Sequence, residues 1–413
     1  MLYKFIEKLK NKLQKRITMG GLSGHMKHLY EAFDCTVDDI ESIIDGLLVN
    51  RTIRMTEKID GYNIHVSWDF DTESMRFFRN AKDVSNGGMS VDDMKVRWKD
   101  NPKTLKVYLS AAEVLEDFIK NHKEHFKTSD PNVITTLNVE CLYKTTNIIP
   151  YLTKGVYIHN FWVWRKEDGN VKPCAIADLD NTLKDDTSYY NGVNVCPIVS
   201  IPVNFNNQLK YIAKTYISEF WNLIVDSMGS SIPATDITLK NYYYIKFITY
   251  CDKNIPWLKN TPFSIFVEVF NRVFLDEKTM SLNELAKAYG SNSDKFKDWL
   301  KNESAAVKET CMYEMKLFFA RFANFILANI KGYTNYENRY IISDVIYRKY
   351  KLKLEQLGEH YDHKKPHTMR YNIRFIKDIG EQINPLEGVV FSFCGNDYKL
   401  TGTFAPLNRL MWM

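Results

Sequence analysis

The chain has 413 residues, 45% apolar and 25% charged, with 55 Lys and Arg against 50 Asp and Glu for a net charge of +5. That length carries two or three domains and a core that needs no disulfide or metal staple, and so mild a basic excess favours a polyanionic partner only weakly. The seven cysteines are scattered with no C-x-x-C pair, which argues against a disulfide framework and fits reduced thiols in the cytoplasm.

The opening stretch, "MLYKFIEKLKNKLQKR", is basic and amphipathic. It lacks the apolar run and cleavage site of a signal peptide and reads as a solvated helix. No apolar run approaches the ~18 residues of a membrane span, so no membrane partner is expected. Residues 1–50 read as a helical segment. "GGLSGHM" follows no strand, so it reads as a turn into a helix rather than a phosphate loop. "TVDDIESIIDGLL" has helical apolar spacing, with Thr36 as its N-cap.

Residues 51–205 are strand-rich. "TIRMTEKI", "NIHVSWDF" and "SMRFFRNA" are β-like, with a "DTE" turn between the last two. "NGGMS" reads as a loop in which Ser90 or Asp92 caps a helix. A further helix is expected over Leu105–His122, then strands in "TTLNVECLY" and "GVYIHNFWVWR".

Residues 206–380 are mostly helical, with helical periodicity in "LKYIAKTYISEFWNLIVDSM", "FSIFVEVFNRVFL" and "YEMKLFFARFANFILANI". Residues 381–413 return to strands: "EGVVFSF", a "CGND" turn and "YKLTGTF" form a hairpin. The expected class is therefore α+β, a strand-rich core of antiparallel sheets interrupted by a helical insertion. "HYDHKKPH" at 360–367 matches no usual zinc spacing and reads as a solvated loop. Residues 331–377 carry 11 Lys and Arg against 5 Asp and Glu. They mix bases with aromatics, as a surface tracking nucleic acid would, although a solvated helix face has the same composition.

The residues "EKIDGYN" at 57–63 pose a chemical question. A lysine amine can attack the α-phosphate of a nucleoside triphosphate if it loses its proton, which requires a fall from ~10.4. Gly61 would let the backbone turn beside the nucleotide, Asp60 could orient the amine or help bind a metal, and further basic groups and a metal-binding carboxylate would be needed elsewhere. Alone, K-x-D-G is also an ordinary solvated turn.

The motif resembles the nucleophile motif of the covalent nucleotidyltransferases, the ATP-dependent DNA and RNA ligases and mRNA capping enzymes. The resemblance implies that Lys58 is nucleotidylated, with Glu57, Asp60, Gly61 and Asn63 beside it. In order along the chain, "FFRNAKDV" implies Arg79, and less directly Lys82, at the nucleotide or the end being joined. "LNVECLY" implies Glu140 at the ribose. "VYIHNFWVW" implies an aromatic on the base, Phe161, with Trp162 as the second choice. "LEGVVF" implies Glu387 as the metal-linked carboxylate, and "YKLTG" implies Lys399 at the α-phosphate.

More narrowly, "GHMKHLYE", "EKIDGYN", "RNAKDVSNGGMS" and "YKLTGTFAP" resemble bacteriophage proteins with ligase-like motifs, which would place the chain in a host cytoplasm. The implied activity is ATP-dependent, Mg²⁺-dependent joining of polynucleotide ends. Alternatives are transfer to a protein or cap, or a non-catalytic phage protein with a degenerate ligase site that binds nucleotide or nucleic acid or serves a structural or host-interaction role. The sequence departs from the family pattern at Thr401, where a second lysine is usual. No C-terminal OB-fold is expected after Lys399, which favours RNA over DNA.

Overall fold

The computed structural model describes residues 26–143, 149–151, 154–167, 170–177, 188–190, 193–198, 201, 208–228, 236–259, 261–290, 293–334, 336–359, 366–379 and 383–411. The basic N-terminal stretch, most of "GGLSGHM" and residues 360–365 of the histidine-rich segment lie outside them.

Two sheets form the strand-rich part. The smaller has the order β1 (Lys27–His28), β11 (Asn396–Leu400), β10 (Gly388–Phe393), β2 (Met55–Lys58). The C-terminal hairpin therefore pairs directly with the strand that carries the candidate nucleophile, Gly388 lying opposite Lys58. The hairpin turns at Cys394 and Gly395, both with positive φ, as a two-residue turn between right-twisted strands requires.

The larger sheet runs β4 (Ser74–Phe78), β3 (Tyr62–Asp69), β5 (Val133–Leu142), β6 (Gly155–Glu167), β9 (Val193–Pro197), β8 (Ser188–Tyr190), with β7 (Asn170–Ala177) also on β6. Most pairings are antiparallel, but β1–β11 and β6–β9 are parallel, so the sheets are mixed rather than wholly antiparallel.

One face of the larger sheet is covered by α4 (Pro102–Asn121). Asn101 caps its start by accepting from Thr104 N at 3.2 Å, and Pro102 occupies its first turn, where a missing N–H costs nothing. Val107, Ala111, Leu115 and Phe118 form its buried stripe against Ile64, Val66, Leu137 and Val139. The N-caps expected from sequence are present: Thr36 on α1 (Val37–Leu48) and Ser90 on α3 (Val91–Arg97), each reciprocated by an aspartate three residues on. Between β4 and α3 lies α2 (Ala81–Ser85).

The helical block comprises α5 (Leu209–Met228), α6 (Leu239–Asn254), α7 (Pro256–Lys259), α8 (Phe263–Phe270), α9 (Leu282–Tyr289), α10 (Ser293–Asn302), α11 (Ser304–Asn329), α12 (Arg339–Glu359) and α13 (Pro366–Ile379). Its core does not stop at the block: Phe220, Phe247, Phe270 and Phe319 belong to one apolar cluster with Met55, Val389, Tyr398 and Leu400 of the small sheet and Ile40 and Leu47 of α1.

Two expectations are corrected. Within the N-terminal helical segment, residues 27–28 are a strand, because their backbone completes the edge beside β11. And "YKLTGTF" is strand only to Leu400; Phe404 opens a helix, α14 (Phe404–Met411). No described helix is long and apolar enough to cross a membrane.

Candidate active site

The two sheets join at Ile59–Gly61, between β2 and β3. Strand alternation fixes where each side chain of "EKIDGYN" goes. Lys58 lies in register with Gly388 of β10, while Lys399 of β11 and Thr56 of β2 both pair with Val390. These positions share one face of the small sheet. Lys58 Nζ forms an ion pair with Glu387 Oε1 at 2.6 Å and keeps 24% of its side chain exposed. Lys58 and Glu387 come from opposite ends of the chain and meet because β2 and β10 are neighbours.

Two glycines make the arrangement fit. A Cβ on Gly388 would stand 2.2 Å from the Leu400 carbonyl oxygen, and a Cβ on Gly61 would stand 2.9 Å from both Glu140 Cγ and the Cys141 carbonyl oxygen. Gly61 N instead donates to Glu140 Oε1 at 3.1 Å, and Asp60 N donates to Tyr151 Oη at 3.0 Å. The turn after the lysine is thus held by β5 and by Tyr151.

The electrostatics are those of a resting ion pair. Burial pushes the Glu387 carboxyl up to about 7 although Lys58 opposes the shift. Burial would lower the Lys58 amine, but Glu387, Glu140 and Asp60 together leave its pKa raised. Lys399 is 7% exposed. Burial, then the charge of Lys58, lowers its pKa. Glu387 Oε2 is buried and has no hydrogen-bond partner.

Around this centre, Asn63 lies opposite Glu140, and its Nδ2 donates to Asn138 Oδ1 at 2.7 Å. The Asn63 carbonyl accepts from Arg79 Nη1 at 3.0 Å and from Tyr108 Oη at 3.2 Å. Arg79 is aimed inward because Asp83, the third residue of α2, accepts from Arg79 N and Asn80 N and holds Arg97 Nη1 at 2.8 Å. The N-x-x-D spacing of "NAKD" is a capping-box signal from which Asp83 was recoverable. Lys82 is exposed on α2 and joins none of these contacts.

Two expected site residues lie elsewhere. Phe161 is paired with Leu137 and packs against Phe126 and His125 in the core beneath α4. A bulge at Asn138/Val139 resets the alternation of β6. The ring on the polar face is Trp162, whose Nε1 donates to Asn160 Oδ1 at 2.9 Å, in line with Asn138 and Asn63. His159, on the bulge, brings Nε2 to 3.8 Å from Glu140 Oε2.

Glu57 is the second correction. Its side chain points to the opposite face from Lys58, and Oε2 accepts from both Thr334 N and Thr334 Oγ1 at 2.8 Å. It ties the strand to the loop before α12.

A cleft beside Lys399 and Thr401 is lined by His28, Tyr30, Lys316 and Arg409. Thr401 Oγ1 lies 3.4 Å from His28 Nδ1. Lys316 Nζ, buried, bonds Glu309 Oε2 at 2.6 Å. Thr401 and Lys399 were singled out from sequence and His28 and Tyr30 fall within "GHMKHLYE", but Lys316 and Arg409 lie on α11 and α14 outside every ligase-like motif.

Glu57 gives a stability prediction. Burial raises its carboxyl to about 7, against the two Thr334 bonds. Between pH 4.5, where the unfolded carboxyl ionises, and about 7, the folded state holds a proton that the unfolded state has lost, so stability falls as pH rises. The full cost above pH 7 is on the order of 3 kcal/mol at 1.36 kcal/mol per unit. Glu57→Gln removes this term while Glu387 still titrates. The difference in Tm, variant minus wild type, is expected to grow from pH 4.5 to 7 and then level off. Parallel melting curves would show that Glu57 ionises freely in the fold.

No protein-family model matches the chain, and no curated protein sequence matches it. Among the described residues, no three His, Cys, Asp or Glu side chains converge as a ready-made metal cage.

Proposed function

We propose that the chain is a ligase-type nucleotidyltransferase that uses ATP and acts on polynucleotide ends, RNA rather than DNA. The observation that carries this reading is the ion pair of Lys58 with Glu387, with Lys399 on the same face of the small sheet as Lys58 and with Glu140 and Asp60 close enough to act on the Lys58 amine. These are the residues that the ordered motifs single out, and their order in sequence did not require them to meet.

Lys58 Nζ attacks the α-phosphorus of ATP. A P–N bond forms, the P–O bond to pyrophosphate breaks, and the amine loses its proton to solvent. Before attack the amine must leave Glu387, since that carboxylate heads the charges keeping it protonated. Lys399, near enough to feel the charge of Lys58, faces the α-phosphate. Lys316 and Arg409, both paired with Glu309, line the cleft that also holds Thr401, where the family's second lysine would stand. The adenylate then passes to a 5′-phosphate, and a 3′-hydroxyl displaces AMP.

The cation the resemblance implies is Mg²⁺, and the donor set fits it: Glu387 Oε2 is buried without a partner, and Mg²⁺ ordinarily takes one or two carboxylates plus phosphates and water. Glu387 would hold it, with Asp60 or Glu140 near. It would neutralise phosphate charge.

Incubation with α-labelled ATP and Mg²⁺ tests the reading. The expected result is label that survives denaturation, is released by acid and resists alkali. Absence of label from ATP, GTP and NAD⁺ alike would overturn it.

A further inference from the structure

Helix α12 leaves one face open. Tyr340 is 77% exposed, Ile341 65%, Leu352 56% and Tyr347 40%. Positions 340, 344, 347, 348, 351 and 352 fall on one side of a helix by their spacing. This side also carries exposed Arg348, Lys351 and Glu355.

At the start of the helix the rings are already stacked with a cation. The Arg339 guanidinium lies 4.3 Å from the Tyr336 ring centroid and 4.6 Å from that of Tyr340, so a planar group added on the outer side of Tyr340 would extend the stack. Two residues before Tyr336, Thr334 is bonded to Glu57, the neighbour of Lys58 in β2. The platform therefore begins behind β2, on the face of the small sheet opposite Lys58.

We propose that this face of α12 is a docking surface for a single-stranded polynucleotide, whose bases stack on Tyr340 and Tyr347 while Arg348 and Lys351 follow its phosphates. Exposed rings beside cations suit unpaired bases, which present a π-face whatever their sequence, whereas a duplex hides its bases and offers only phosphates. A protein partner would bury Ile341 and Leu352 along with the tyrosines, so substitution of those two aliphatic residues separates it from a polynucleotide. The chain's own first sixteen residues carry six Lys and Arg against one Glu, and this face sets Arg339, Arg348 and Lys351 against Asp344 and Glu355, so charge does not draw them to it. Binding must displace Asp344 from Arg348, a pair at 2.7 Å between exposed groups that contributes little. The proposal deepens the nucleotidyltransfer reading by making the acceptor an unpaired end, and rests on it only for what happens after docking.

The test uses the full-length protein and a fluorescent oligoadenylate of about 15 nucleotides, matched to the site sizes of such surfaces. Tyr340→Ala with Tyr347→Ala is expected to weaken binding about tenfold or more, with Tyr340→Phe binding as wild type. Arg348→Gln with Lys351→Gln is expected to lower the slope of log affinity against log salt by about 1 to 2. The same sequence as a duplex is expected to bind at least about tenfold more weakly.

Binding unchanged in both double variants, or equal affinity for the duplex, would overturn the proposal. So would a change in oligomeric state, without a change in oligonucleotide binding, on Ile341→Ser with Leu352→Ser. Lysine labelling by α-labelled ATP is read in the same preparations and is expected to persist in every variant. If wild type binds the oligonucleotide as described but takes no label, the surface stands and the nucleotidyltransfer reading falls.

Discussion

Lys58→Arg is expected to fold as wild type and to take up no covalent nucleotide. The two halves of that result have separate causes. A guanidinium stays protonated and cannot attack phosphorus. It can still face Glu387, so the buried carboxylate keeps a counter-charge. Lys58→Ala loses the label too, but is expected to lose stability with it. It strands Glu387, which is 9% exposed on its side chain and already pushed up to about 7 by burial. Breaking a buried pair from one side costs roughly 3–5 kcal/mol, with the lower end fitting a lysine that is part-exposed.

The sign with pH follows from the raised carboxyl. Without Lys58 it rises further, so Lys58→Ala should melt close to wild type in mild acid and fall away as pH increases. Lys58→Arg should track wild type throughout. Covalent labelling of either variant at wild-type level would remove Lys58 from the nucleophile's role. An alanine variant as stable as wild type above pH 7 would mean that Glu387 is solvated there.

How much of this was readable in advance depends on the range of the interaction. Local signals were. The Thr36 and Ser90 caps, the apolar stripe of α4 and the "CGND" hairpin turn each depend on a few neighbouring residues. Long-range placement by motif order was readable as far as strand pairing preserves it, as with Lys58 and Glu387.

What failed were faces and partners. Phe161 and Trp162 differ by one position, and a one-residue bulge decides which ring lines the polar face. That bulge has no mark in "VYIHNFWVW". Glu57 is adjacent to the lysine in sequence, yet the pleat sends it to the other side of the sheet, to a threonine 277 residues on. The two-residue strand β1 has no periodicity to detect and exists only because β11 offers an open edge. The helical block, readable as helices, was not readable as part of the same core as the small sheet, since apolar periodicity says that a face is buried and not against what.

Glu387→Gln is expected to cut nucleotidylation by about 10²-fold, the loss typical when one electrostatic stabiliser is removed from a transition state. The neutral amide also acts in the opposite direction. Glu387 is the largest of the charges that keep the Lys58 amine protonated, so its removal frees more amine at a given pH and moves the acid limb of the labelling profile to lower pH. The gain in free amine helps only a nucleophile whose phosphate is already in place. The loss falls on the step that gathers charge at the α-phosphorus, where a buried oxygen without a hydrogen-bond partner, Glu387 Oε2, has become an amide. The net result is therefore a slower enzyme with a profile displaced toward acid, and with a weakened response to Mg²⁺. A variant merely disturbed in its fold would slow without moving its profile. Labelling at the wild-type rate across a Mg²⁺ titration, with an unmoved acid limb, would make Glu387 a structural partner of Lys58 and nothing more.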